Sequence, residues 1–86
     1  MTFYSEATGN VFQETKRANG KITLARIGYM QDRDDLGSFI EKDGIPITIS
    51  EDWLGSEHYS EIVRTIGGGW MREKDMRELE ILRAER

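Results

Sequence analysis

His58 is the only histidine in a chain of 86 residues without cysteine, and that inventory limits the chemistry the chain can do by itself. It lies in Glu57-His58-Tyr59-Ser60-Glu61. On a helix, His58 and Glu61 share a face and make half of a metal site, but a complete site needs three or four ligands. With no second histidine and no thiolate, a solvated helix is the better reading, and no metal or other cofactor is expected. No motif frames His58 as the base for a serine or threonine nucleophile. The expectation is a protein that is not an enzyme.

Two other segments invite a chemical reading. Asp32-Arg33-Asp34-Asp35-Leu36-Gly37 opens like a calcium loop, yet Leu36 stands at the fifth position and Asp43 at the twelfth, where a bidentate glutamate belongs. An acidic loop capping a short helix fits better. Gly67-Gly68-Gly69 precedes a helical pattern, as phosphate cradles do, but its spacing fails both the P-loop and dinucleotide fingerprints. Glu73 and Asp75 already complement the positive end of the next helix. The triplet is expected to stop one helix and let the next turn back.

Charge is the most distinctive property. The net charge of −4 is unevenly spread. Residues 1–30 carry Lys16, Arg17, Lys21 and Arg26 against Glu6 and Glu14. Residues 31–61 carry Asp32, Asp34, Asp35, Glu41, Asp43, Glu51, Asp52, Glu57 and Glu61 against Arg33 and Lys42, a balance of −7. Residues 62–86 are nearly neutral. The nine acids suit a surface that meets a basic groove on a partner, where charge complementarity speeds encounter and sets orientation. The basic hairpin, with Phe12 and Tyr29 as stacking surfaces, suits phosphates instead.

The elements that must position these groups can be read from pattern. With 37% hydrophobic and 33% charged residues the chain is expected to fold as a single α+β domain, residues 1–86, with a thin core. Residues 1–49 read mainly as strands. Thr2–Glu6 begins a meander, and Val11–Arg17 leads to Asn19-Gly20, whose residues tolerate the positive φ of a two-residue hairpin turn. Lys21–Met30 returns, with Thr15 opposite Leu24 and Phe12 opposite Ile27. Ile22 and Leu24 share one parity, Ile27 and Tyr29 the other, so either a bulge near Ala25-Arg26 or a sheet covered on both faces is required. Asp34 or Asp35 caps a short helix through Leu36–Lys42. Ile45–Ile49 alternates with three isoleucines on one face, and Pro46 places it at a sheet edge or at a strand start.

Residues 50–86 read mainly as helices. Ser50 is an N-cap, with Glu51 and Asp52 in the first turn. Tyr59, Ile62, Val63 and Ile66 form a helical stripe ending at the glycines. Trp70–Arg86 is a second helix, with Glu73 spaced to pair with Arg77 and a seam of Met76, Leu79 and Leu82. The expected fold is therefore a small antiparallel sheet of three to four strands, the N-terminal meander plus strand 45–49, packed against two C-terminal helices.

The opening residues lack the basic start and apolar run of a signal peptide, and no apolar stretch is long enough for a membrane span, so a cytoplasmic location is expected. The expected function is binding without catalysis: an accessory or inhibitory protein of the size that phages and mobile elements encode. It would work in the host cytoplasm if phage-encoded. Its acidic segment would dock a larger protein, such as a nucleic-acid-handling enzyme, by mimicking nucleic acid. The alternatives are direct nucleic-acid binding by the basic hairpin and an enzyme, or a subunit of one, whose site is assembled at an oligomer interface; the last helix could also form a homodimer.

Overall fold

The structure, a computed structural model, describes residues 1–84. It is α+β, and the sheet is larger than its strand signals suggest. Seven strands form it: β1 (Thr2–Tyr4), β2 (Asn10–Ala18), β3 (Lys21–Met30), β4 (Phe39–Glu41), β5 (Ile47–Ser50), β6 (Ser60–Arg64) and β7 (Trp70–Arg72). The path runs β4-β3-β2-β1-β6-β7, with β5 also pairing β3, and every pairing is antiparallel. Among the described residues the single α-helix is α1, Glu73–Ala84.

The β2–β3 hairpin forms through the two-residue turn expected of Asn19-Gly20, with φ of 55° and 74° and Ala18 opposite Lys21. Beyond the turn the expected register slips. Glu14, not Thr15, faces Leu24, and Phe12 faces Arg26 rather than Ile27. The unpaired Thr15 in β2 causes this slip, and the unpaired Ile27 in β3 restores the register at Val11–Gly28. Each extra residue reverses the facing of the residues beyond it. Hence Ile22 and Leu24 point to one face of the sheet and Ile27 and Met30 to the other.

Both faces are covered. Phe3, Phe12, Ile22 and Leu24 form one buried cluster, overlaid by Ile47, Ile49, Leu54 and Tyr59. Tyr4, Val11, Met30 and Ile62 form a second on the opposite face, flanked by Ile27, Leu36, Phe39 and Trp70. The sheet curls around this second cluster until its edges meet. Phe39 of β4 and Trp70 of β7 close it edge-on, ring centroids 6.0 Å apart. Arg64 lies over the Trp70 ring, 4.4 Å from its centroid.

Tyr4 is fully buried in that inner cluster, and its hydroxyl donates to the Arg33 carbonyl at 2.6 Å. Burial pushes the phenol above its usual pKa of about 10, with Glu6 and Asp34 adding to the rise and Arg72 and Arg33 opposing it. The folded state thus holds this proton more tightly than the unfolded chain. The associated stability is present below about pH 10 and is lost as pH rises further. We expect the urea midpoint of the wild type to fall from about pH 10 upward more steeply than that of Tyr4→Phe. The variant itself costs about 0.5–1.5 kcal/mol at neutral pH for the lost hydrogen bond. Parallel pH profiles for the two proteins would refute this.

Several other expectations from the sequence are corrected by the fold. No helix spans Leu36–Lys42: Asp35 caps a single 3-10 turn, Leu36–Ser38, by accepting from the Gly37 N–H at 2.8 Å, and the chain then pairs with β3 as β4. The bare edge of β3 needs partners for its N–H and C=O groups, and β4 and β5 supply them in succession. Strand 45–49 begins later than expected, after Pro46, and Ile45 is left 87% exposed rather than sharing the face of Ile47 and Ile49.

Ser50 does cap, with its Oγ accepting from the Asp52 N–H at 3.3 Å, but it caps only a 3-10 turn, Glu51–Trp53. The helix expected through Tyr59–Ile66 is absent. Within that stretch Ser60–Arg64 is β6, and Ile66 with Gly67-Gly68-Gly69 forms the turn of a β6–β7 hairpin in which the Thr65 N–H donates to the Gly69 carbonyl at 2.9 Å. The second helix starts at Glu73, not Trp70, and its last two expected residues, Glu85 and Arg86, lie outside the described residues.

Two helices laid against one face is therefore not the arrangement. The first three residues of the expected second helix are a strand, and α1 packs on the sheet mainly at β6 and β7. The expected Glu73–Arg77 ion pair forms. Of the expected seam, Met76 is half-buried, while Leu79 and Leu82 are 42% and 60% exposed.

Candidate functional site

The chain's acids and bases are redistributed by this topology. β4 and β5 run in the same direction along the outer edge of β3, so residues 32–52 form one interrupted ribbon beside it. Ten residues of β3 extend for ~33 Å. Asp32, Asp34 and Asp35 lie at its Met30 end, Glu41 and Asp43 along it, and Glu51 and Asp52 at its Lys21 end. The Arg33 side chain turns away from this ribbon and donates to the Ala7 carbonyl at 2.7 Å. Glu57 and Glu61 are not on the ribbon: Glu57 lies in the crossing segment that bonds to Glu6, and Glu61 faces Phe3 across β1.

The acidic turn is tied by its own backbone. The Asp34 N–H donates to Asp32 Oδ1 at 3.0 Å, and the single Ser38 hydroxyl proton is within reach of both the Asp35 carbonyl at 2.6 Å and the Asp32 carbonyl at 3.0 Å. Asp32 and Asp35 thus use a carboxylate oxygen to hold a turn, as a capping loop does.

The four basic residues of the hairpin do not share a face. Their register puts Arg17 and Arg26 on the face of Ile22 and Leu24, and Lys16 and Lys21 on the other. Arg17 is further engaged by Glu14 at 2.6 Å and by Glu51 at 3.5 Å. His58 and Glu61, placed together by a helical reading, are separated by the strand geometry and line different cavities. The His58 ring stands edge-on to Trp53, centroids 5.8 Å apart, and its Nε2 is 4.0 Å from a Glu57 carboxylate oxygen.

The largest of the described cavities is an open cleft of about 660 Å³ on the outer face. One wall is polar, from Ser5, Thr8 and Asn10 around the β1–β2 turn. Another wall is the link between β4 and β5, with Asp43, Gly44 and Ile45. Phe12 and Tyr59, ring centroids 5.8 Å apart, and His58 complete it. Arg26 enters from β3. Its Nη2 donates to the Asp43 carbonyl at 3.1 Å, and its buried Nε has no partner among the described residues. Gly44 allows this approach, since a Cβ there would stand 2.6 Å from Nε.

Arg26 was visible in the sequence as a base in a basic hairpin; its partners in the cleft were not. They come from three separated stretches, residues 5–12, 43–47 and 58–59, with no common motif. Among the described residues no group of three or more His, Asp or Glu side chains is placed to hold a metal ion, and no helix is long and apolar enough to cross a membrane. Comparison with protein-family models, curated proteins and solved structures found no match.

Proposed function

We propose that this protein is a non-catalytic binding module that docks a larger protein through the acidic ribbon of residues 32–52. The observation that carries this reading is the gathering of Asp32, Asp34, Asp35, Glu41, Asp43, Glu51 and Asp52 along one sheet edge. A line of carboxylates of that length suits a basic groove, including one that handles nucleic acid, and long-range attraction steers such an encounter. The edge-on packing of His58 against Trp53 supports binding over catalysis, since no hydroxyl hydrogen-bonds to its ring among the described residues. An accessory or inhibitory role of the kind phages and mobile elements use is the corresponding biological setting.

The test is affinity capture by the full chain at low and high salt, with two charge variants. A partner held by the wild type should be released between ~0.05 and ~0.5 M salt. The combined Glu41→Gln, Asp43→Asn and Asp52→Asn protein should associate about tenfold more slowly. Glu57→Gln with Glu61→Gln should leave association unchanged, because neither residue lies on the ribbon. A partner indifferent to salt and to the ribbon substitutions would overturn the reading. Salt-sensitive binding of labelled DNA or RNA, lost on replacing Lys16 and Lys21, would favour the basic hairpin instead.

A further inference from the structure

We propose that the outer-face cleft is a binding site for a small monoanionic carboxylate with an apolar body, held by Arg26. This does not depend on the acidic ribbon. The cleft volume of about 660 Å³ falls within the range of small-molecule sites, and its polar groups converge from separate segments, as they do in such sites.

Arg26 is the group that selects the ligand. A guanidinium presents a planar fork of donors matched to a carboxylate. Here Nη2 donates to the Asp43 carbonyl and Nε is covered by Gly44, while Nη1 makes no hydrogen bond among the described residues, which leaves the Nη1/Nη2 end of the fork to a ligand. Incompletely satisfied buried donors are uncommon in folded proteins. The Asp43 carboxylate forms no ion pair with Arg26 among the described residues, so the positive charge remains available to the cleft.

Charge and shape narrow the ligand further. Arg26 is the single arginine or lysine lining the cleft, and Asp43 stands nearby, so a multiply charged phosphate is less well matched than a single carboxylate. The Phe12–Tyr59 aromatic pair and the 87% exposed Ile45 offer apolar surface beside the guanidinium. Asn10 and Thr8 on the polar wall can accept or donate to a polar substituent.

The experiment titrates the full-length, 15N-labelled protein with 3-phenylpropionate, with its neutral amide, and with inorganic phosphate. The carboxylate should give saturable shifts at the amides of Asn10, Gly44, His58 and Tyr59. The neutral amide should bind at least about tenfold more weakly, the loss expected for a charge-assisted hydrogen bond. Arg26→Lys should weaken the carboxylate by about tenfold, because the ammonium lacks the fork. Ile45→Asp changes an exposed residue at the cleft and should also weaken it, so the test survives if Arg26→Lys fails to fold. The proposal is overturned if acid and amide bind alike, if phosphate binds as well as the carboxylate, if the shifts lie elsewhere, or if no saturation appears by ~10 mM.

Discussion

Truncating Ile62 to alanine should lower the free energy of unfolding by about 2–5 kcal/mol, while the same change at Ile66 should alter it by no more than ~0.5 kcal/mol. The two side chains lie on one stripe if residues 59–66 are helical, and a helix would make their truncations comparably costly. In the sheet they have opposite fates. Ile62 sits in the inner cluster against Tyr4, Val11 and Met30 at 1% exposure. Ile66 lies in the β6–β7 turn, fully exposed. Deleting Ile62 loses transfer free energy and leaves a cavity at the centre of a curled sheet, whose closed edges resist collapse. Urea unfolding followed by tryptophan fluorescence, to which Trp70 beside the same cluster contributes, measures both variants. Equal costs would mean that the strand assignment of β6 is wrong.

Substituting Gly28 should be nearly as damaging, for a steric reason. Gly28 is buried in β3 opposite Glu41 of β4. A Cβ at this position would stand 2.3 Å from the Ile40 carbonyl oxygen and 2.5 Å from the Phe39 ring. The ring can rotate aside; the carbonyl belongs to the neighbouring strand and cannot. We therefore expect Gly28→Ala to cost about 1–3 kcal/mol, and Gly28→Val more, by forcing β4 away from β3. Hydrogen exchange gives a local readout. The Lys42 N–H, which donates to the Ile27 carbonyl at 3.0 Å, should lose protection before the amides of the β2–β3 hairpin. Adding Phe39→Ala should recover only part of the loss, because the Ile40 carbonyl remains in place. Full recovery, or an unchanged Lys42 amide, would rule out the backbone clash.

Both substitutions probe features that the sequence concealed. Residues 56–66 carry a helical stripe, yet Ile62, Val63, Thr65 and Ile66 are β-branched and suit a pleated strand equally well. The deciding contacts are remote. Phe3 and Tyr4 are adjacent, large, and buried on opposite faces, so β1 must be an interior strand, and β6 supplies the second neighbour that its backbone requires. The glycine triplet then has a hairpin to turn rather than a helix to end. The last helix keeps its local signals, with acids in its first turn and the Glu73–Arg77 pair, but finds no sheet surface left for Leu79 and Leu82.

Local chemistry sufficed where a few neighbouring residues settle the backbone. Asn19-Gly20 dictates the tight turn, Asp35 and Ser50 cap, and the parity change in Lys21–Met30 demands a bulge or a sheet covered on both faces. The charge block of residues 31–61 was equally plain, because it needs no contacts to exist. Only the tertiary structure could lay seven of those acids along one edge, divide the basic hairpin between two faces, and carry Arg26 to a cleft walled by distant segments. Those outcomes depend on strand pairing over long sequence separations, where curl and register are set by covering both faces of the sheet at once.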